Sequence, residues 1–559
     1  MRIGLLTEGG YPYATGESRL WCDRLVRGLV QHEFDLYALS RSAQQEEHGW
    51  VHLPPQVRQV RTASLWAPED DGRTHGRRER RRFVGHFKQL AAALCAEDDD
   101  EGDGFAQGLY GLAELAREHG GLYAALRSEL AARTLESACR APGVRRAAQG
   151  ATVCDHLAFV DGLERALRPL SLDWYGQDAL GAVDLCHAAS GGSAALPGLL
   201  AKRFCGVPLL VTEYGVQLRA HHLAASEAEL SSPVRTLLAA FHGRLAAEVY
   251  RQASVITPGN THARRWQEKC GADRAKLRTV YPGMEADRFA ALGDGGGGDP
   301  HTLVWVGRIE PAKDLIALLH AFAEVRKEEP RARLRIFGAP LSGPESAAYF
   351  AHCRALAAQL FPDEAADAHA IGDNPVSFEE IGAPEAPELV DAYGAGQVVV
   401  LSSVVEGFPI SLVESMFCGR ATVSTDVGAV VEVIGGTGLV VPPRNPRALA
   451  DACLALLRDP ERRDRLGAAA RARALELFTV EQNLTAFRGI YLELISHSPV
   501  QREAESVDAD GEPRPFAYPA ESHVPGRWPA PGPAPGGHTP SWADGTGPGL
   551  VRAAEEAGR

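Results

Sequence analysis

The stretch ALGDGGGGDPHTLVWVGRIEPAKDL, residues 291–315, decides the fold. Four successive glycines with no apolar anchor read as a flexible linker over residues 291–300. Directly afterwards TLVWVG is an apolar run ending at a glycine, and PAKDL opens a helical pattern, so a strand–turn–helix series starts afresh. A chain that restarts its alternation halfway along has two lobes.

Upstream of the linker the same alternation is present. RIGLLTEGGYP (2–12) is an apolar strand running into a Gly-Pro turn, and SRLWCDRLVRGLVQH (18–32) repeats its apolar residues at helical spacing. FDLYALS (34–40) then reads as the next strand, and the β-α-β order predicts a parallel sheet. The rhythm breaks over residues 66 to about 150, where the basic run RTHGRRERRR, the acidic run EDDDEGD and Ala/Leu-rich helical patterns suggest a helical insertion with solvated charge. It resumes in AVDLCHAASGG, VPLLVTEYG and ASVITPGN.

The expected organisation follows. Residues 1–290 form a first α/β lobe, 291–300 the linker, 301–478 a second lobe, and 479–497 a final helix packing back towards the first lobe; 498–559 form a Pro/Gly-rich, disordered tail. The fold class is α/β, with two doubly wound lobes facing across a hinged cleft.

Composition excludes several functions. A net charge of −14 argues against a nucleic-acid surface, which draws on a basic excess. The ten cysteines are scattered, with no CxxC pair, and read as reduced structural thiols rather than a metal site. No run approaches the ~20 apolar residues that span a bilayer, and the opening MRIGLLTEGG turns polar too early for a secretory signal. A cytoplasmic location is the expectation.

Chemistry gathers at the ends of strands. In VVEGFPISLVESMFCG (404–419) two glutamates, Glu406 and Glu414, stand eight positions apart. Glu414 has a plain reading, because Ser411 three residues earlier matches a capping box. That reading leaves Glu406 unexplained at the carboxyl end of a strand, where open α/β sheets bind ligands. Paired carboxylates suit a polyhydroxyl ligand, since each accepts from two neighbouring hydroxyls, and the adjacent helix start offers N–H groups to a phosphate. VGRIEPAKD (306–314) carries Arg308 and Lys313, which are either surface cations or holders of a diphosphate leaving group. His187 follows the strand AVDLC and is either a satisfied core histidine or a group facing the cleft; His221 and His222 have no comparable context.

Together these residues resemble the two-lobed GT-B glycosyltransferases, and specifically the retaining family-4 enzymes. Glu406 to Glu414 is similar to their E-x7-E motif, EGFPISLVESMFCG to EGFxxxxxEAMACG, VGRIEPAKDL to VGRLxxxKG, and VYPGMEADRF to viPNGvDxxRF. The first lobe resembles a narrower branch, the PelF-like exopolysaccharide glycosyltransferases, through EGGYPYATGES, HAASGG and LLVTEYG. Three positions differ from that branch: Glu17 replaces a second glycine after Gly16, Tyr214 replaces a histidine, and Pro282-Gly283-Met284 lacks the common asparagine.

The resemblance implies transfer of a hexosyl group from a nucleotide sugar, UDP-glucose by branch, to a carbohydrate or other hydroxyl acceptor. Arg308 and Lys313 would hold the diphosphate, Glu406 would touch the sugar hydroxyls, and His187 would line the reaction centre. Glu414 would bind the ribose, with Gly16, Gly307, Gly407 and Phe408 completing the donor set and Val376 and Phe378 bordering the base. No cofactor and no metal are implied, and a membrane-complex partner fits an exopolysaccharide enzyme. Two alternatives stay open: a nucleotide-sugar 2-epimerase on the same fold, and a non-catalytic nucleotide-sugar-binding assembly partner.

Overall fold

Two six-stranded sheets, both wholly parallel, organise the chain, in a computed structural model that describes residues 1–497 apart from 16–17, 68–69, 98–101, 217, 219–229, 293–296, 341–342 and 363–373. The readings placed on Gly16, Glu17, His221, His222 and the tail after 498 lie outside the described residues. The first sheet contains β1 (Arg2–Glu8), β2 (Glu33–Ser40), β3 (Val57–Ser64), β4 (Leu185–Ala188), β5 (Leu209–Glu213) and β6 (Val255–Pro258). The second contains β7 (Asp299–Val306), β8 (Arg333–Phe337), β9 (Val376–Glu379), β10 (Gly396–Leu401), β11 (Ala421–Thr425) and β12 (Leu439–Val441).

Both sheets have the same doubly wound order. The first runs β3-β2-β1-β4-β5-β6 and the second, read from its other edge, β9-β8-β7-β10-β11-β12. Strand order reverses between β1 and β4 and again between β7 and β10, and the crevice at such a reversal is where open α/β sheets take their ligands. Each lobe is therefore Rossmann-like, as the sequence alternation predicts.

The central strands are apolar because they are buried on both faces. On β10, Val398 and Val400 enter one core cluster while Val399 and Leu401 enter another; on β7, Leu303 and Trp305 divide from Val304 and Val306 in the same way. This period-2 partition lets one short run serve two cores, each buried aliphatic side chain contributing about 1.5–3 kcal/mol. β3 is the strand that the sequence pattern hides: its VRQVRTAS is mostly polar, as an edge strand with few buried residues permits.

Between β3 and β4 lies the helical insertion, which extends past residue 150. It includes the helices Arg77–Cys95, Gly102–His119, Glu129–Cys139 and Val153–Leu167, and its apolar faces share the core cluster of the first sheet. Downstream, β7 begins at Asp299, inside the stretch read as linker.

The chain passes between the lobes twice. After the first passage, Met284 donates its amide to the Phe478 carbonyl (2.9 Å), and Val480 returns one to Met284 (3.2 Å), so the passages lie side by side. A Cβ on Gly283 would come within 2.8 Å of the Val480 Cα, which accounts for glycine at that contact. The last helix, Val480–His497, then covers the first sheet, with Phe487, Ile490, Tyr491 and Leu494 in the same cluster as Ile3 and Leu5.

Candidate functional site

The second sheet's reversal point is furnished by the two segments that leave β7 and β10. From β7 the chain enters Gly307-Arg308 and the short turn Pro311–Lys313; from β10 it enters Ser402 to Glu406. The segments are stapled together, with Ser402 Oγ donating to the Lys313 carbonyl (2.7 Å) and the Val404 amide to that of Ala312 (2.9 Å).

Lys313 and Glu406 meet as an ion pair, Nζ to Oε1 at 2.5 Å, with their side chains only 16% and 8% exposed. Ser403 Oγ donates to the same carboxylate oxygen at 2.7 Å. The structure therefore joins the cation and the acid that sequence reading assigned to separate tasks. A positive charge held at low exposure is worth more than one in water, because the surrounding dielectric is lower. Arg308 is exposed and pairs with no carboxylate among the described residues, leaving its five donors open to other partners.

The loop after β11 closes against this pair. Gly428 adopts φ 56°, and a Cβ there would lie 2.4 Å from the Glu406 carbonyl oxygen. Ala429 donates its amide to the Gly407 carbonyl at 3.1 Å. Phe408, in the segment after β10, packs edge-on to Phe478 (5.8 Å) and tilted to Tyr281 (6.5 Å), which ties that segment to the interlobe passages.

Glu414 is not a capping-box residue. The helix runs Ile410–Phe417 with Pro409 at its cap and no side-chain cap bond, so Ser411 sits inside the helix. Glu414 Oε2 instead lies 2.8 Å from the Tyr393 hydroxyl, and burial pushes its carboxyl above the ordinary range, against the pull of Tyr393, Arg288 and Arg24. Arg24 comes from the first lobe and also binds the Gly283 carbonyl (2.9 Å) and Glu285 (3.1 Å).

His187 lies elsewhere than expected. It is fully buried in β4, with Nδ1 2.7 Å from the Tyr491 hydroxyl and Nε2 2.6 Å from Thr212 Oγ1. Trp21, Phe487 and Tyr491 surround the ring, and burial lowers its pKa to about 3. Both nitrogens are engaged inside the protein, so neither is left for a substrate. Val376 and Phe378 also face inward, because strand alternation puts both on one side of β9; Phe378 meets Phe350 of the helix Pro344–Leu360 at 5.6 Å. Val376 is thus buried in the core, and Phe378 is half-buried against it.

Sequence reading passed over Ser403, Tyr393 and Gly428. Ser403 had a local signal, three residues before Glu406; Tyr393 lies 21 residues from Glu414 and is brought there only by the fold. Among the described residues no group of three or more His, Cys, Asp or Glu could hold a metal ion, and no helix is long and apolar enough to cross a membrane.

Residues 300–459 match the family model described as Glycosyl transferases group 1. Over these residues the second lobe is similar to the group 1 glycosyl transferases. Residues 1–275 match a separate model, a Domain of unknown function (DUF3492). The D-inositol 3-phosphate glycosyltransferase of Kineococcus radiotolerans is 33% identical over 239 residues, 38% of this chain and 52% of that protein. Its counterpart in Nocardia farcinica is 29% identical over 367 residues, 61% of this chain and 75% of its own length. The chain spans about half the length of the first curated relatives it matches.

The fold as a whole is similar to sucrose-phosphate synthase from Thermosynechococcus elongatus, with a TM-score of 0.53 and 17% identity over 89% of this chain and 100% of that one. Anabaena Alr3699/HepE in complex with UDP gives a TM-score of 0.52 and 15% identity over 88% and 100%. In the second lobe, the Lys313–Glu406 pair lies at the reversal point between β7 and β10.

Proposed function

We propose that the protein is a retaining family-4 glycosyltransferase that moves a hexosyl group from a nucleotide sugar to a hydroxyl acceptor. The observation that carries this reading is the Lys313–Glu406 pair at the reversal point of β7 and β10, with Arg308, which has no carboxylate partner among the described residues, five positions before Lys313. A diphosphate leaving there would meet two cations as its negative charge develops. Glu406 would at the same time accept from sugar hydroxyls, with Gly307 and Gly407 giving the backbone room to approach, and Glu414 would hold the ribose.

UDP-glucose is the proposed donor, and a PelF-like role in exopolysaccharide synthesis the proposed setting. The donor assignment is supported by Alr3699/HepE, solved in complex with UDP and glucose, and the reaction class by the relatives named as glycosyltransferases. With both nitrogens of His187 engaged, this chain's contribution to bond cleavage is electrostatic, and attack from the leaving group's own face accounts for retention.

The test is thermal shift with UDP, GDP and ADP and their glucose or mannose conjugates, followed by assay of anomeric configuration in any product. Selective stabilisation by UDP, weakened in Lys313→Met, supports the reading. No stabilisation by any nucleotide sinks it.

A further inference from the structure

A cavity of about 370 Å3 opens in the first lobe and is lined by Tyr13, Glu46, Trp50, Thr62, Ala63 and Ser64. It lies at the carboxyl ends of β2 and β3, up to two strand positions, or roughly 10 Å, from the first sheet's reversal point. We infer that this cavity is a carbohydrate-binding subsite that takes an uncharged pyranose unit of the acceptor. This assignment of an acceptor rests on the glycosyltransferase reading; the binding itself does not.

The lining has the two kinds of surface that a pyranose ring presents. Trp50 in the lining, and Trp66 just outside it and bonded to the lining residue Glu46, are 49% and 39% exposed, an unusual position for the largest apolar side chains, and neither ring stacks on another aromatic among the described residues. An indole face carries negative π density, which attracts the weakly positive C–H groups on one face of a sugar. Beside them Trp66 Nε1 donates to Glu46 Oε1 at 3.3 Å, and Ser40 Oγ donates to the same oxygen, leaving the carboxylate's remaining lone pairs for sugar hydroxyls. Thr62 and Ser64, also in the lining, add hydroxyls.

The walls are held in place. Tyr13 and Trp50 form an antiparallel bridge, flanked by Ala14 to Gly49 (3.0 Å) and Val51 to Pro12 (2.9 Å). On the other side Arg168, ion-paired with Glu164 at 4% and 3% exposure, donates to the carbonyls of Ser64 (2.7 Å) and Ala67. The helical insertion thus sets the position of the Trp66 segment. Arg41, next to Ser40, is paired with Glu8 at 3.0 Å, so among the described residues the lining offers a carboxylate and no cation and would repel a phosphate. That selects an uncharged ring.

The experiment is binding to a printed array of neutral mono- to tetrasaccharides. It uses the full chain and the Trp50→Ala, Trp66→Ala and Glu46→Gln variants, with affinities by saturation-transfer NMR and UDP thermal shift in parallel. At least one oligosaccharide is expected to bind, losing tenfold or more in affinity in Trp50→Ala or Trp66→Ala and recovering in Trp50→Tyr, while the UDP shift is unchanged. An array with no ligand, or a ligand bound equally by both tryptophan variants, overturns the subsite. Sugar binding through Trp50 without any UDP shift supports the subsite and sinks the transferase reading alone.

Discussion

Glu432, on the second lobe, accepts the amide of Thr261, the first residue of a first-lobe helix, at 2.6 Å. Its other oxygen takes the Tyr281 hydroxyl at 2.9 Å, so one carboxylate links a helix start, an interlobe passage and the second lobe. Closing lobes sets kcat and KM together in many enzymes. Glu432→Ala is expected to lower stability by about 1–3 kcal/mol, through two unsatisfied donors, and to raise the radius of gyration in solution scattering. A variant with unchanged scattering and melting would show that the contact does not hold the lobes.

Lys313→Met leaves the carboxylate of Glu406 poorly solvated and without its cation. The double variant Lys313→Met/Glu406→Gln removes that charge and is expected to be more stable than the single one by ~1 kcal/mol or more. Both are expected to lose at least ~10²-fold in sugar transfer, because the leaving group loses its cation in each. Chemical denaturation and initial rates on the four members of the cycle separate the two effects.

Glu414 carries a pKa raised by burial, so its folded state favours the protonated form. Its contribution to stability is present at low pH and lost as pH rises through the folded value. At neutral pH the ionised carboxylate is therefore a cost, and Glu414→Gln, whose carbonyl still accepts from Tyr393, is expected to melt at or above the wild-type temperature. UDP stabilisation in the same variant is expected to fall. A lower melting temperature with an intact UDP shift would reverse both statements.

His187 behaves oppositely. Its pKa is lowered to about 3 by burial, so the folded chain holds it neutral while the unfolded chain protonates it near pH 6.5. Stability is complete above that value and falls by ~1.4 kcal/mol per pH unit as pH drops towards about 3. His32, lowered to about 4 by burial, adds to the same slope. His187→Gln is expected to flatten the pH dependence of unfolding between pH 6.5 and 4.5 by about that amount per unit. Equal slopes in the two proteins would mean that the ring is not held neutral.

Much of the fold was legible because parallel strands buried on two faces are continuous apolar runs, such as QVVVL and TLVWV. β3 escaped because an edge strand is partly solvated and needs no such run. In the site, Lys313 and Glu406 could each be placed at a strand end, but their pairing could not, since 93 residues separate them and only the β7–β10 adjacency brings them together. His187 misled for a related reason. Its position after an apolar strand is the same whether the ring faces the cleft or the core, and what fills the space around it, Tyr491, is 304 residues away.

The side-by-side passages at Met284 and Thr479 also bear on how the lobes are tethered. Two cords clasped along one line behave as a single hinge pin, on which turning about that line is easier than splaying or sliding. They are also redundant. A protease that cuts once between Leu292 and Asp299 would nick the chain without freeing either half, and the two fragments would still migrate as one particle until a denaturant unclasped them.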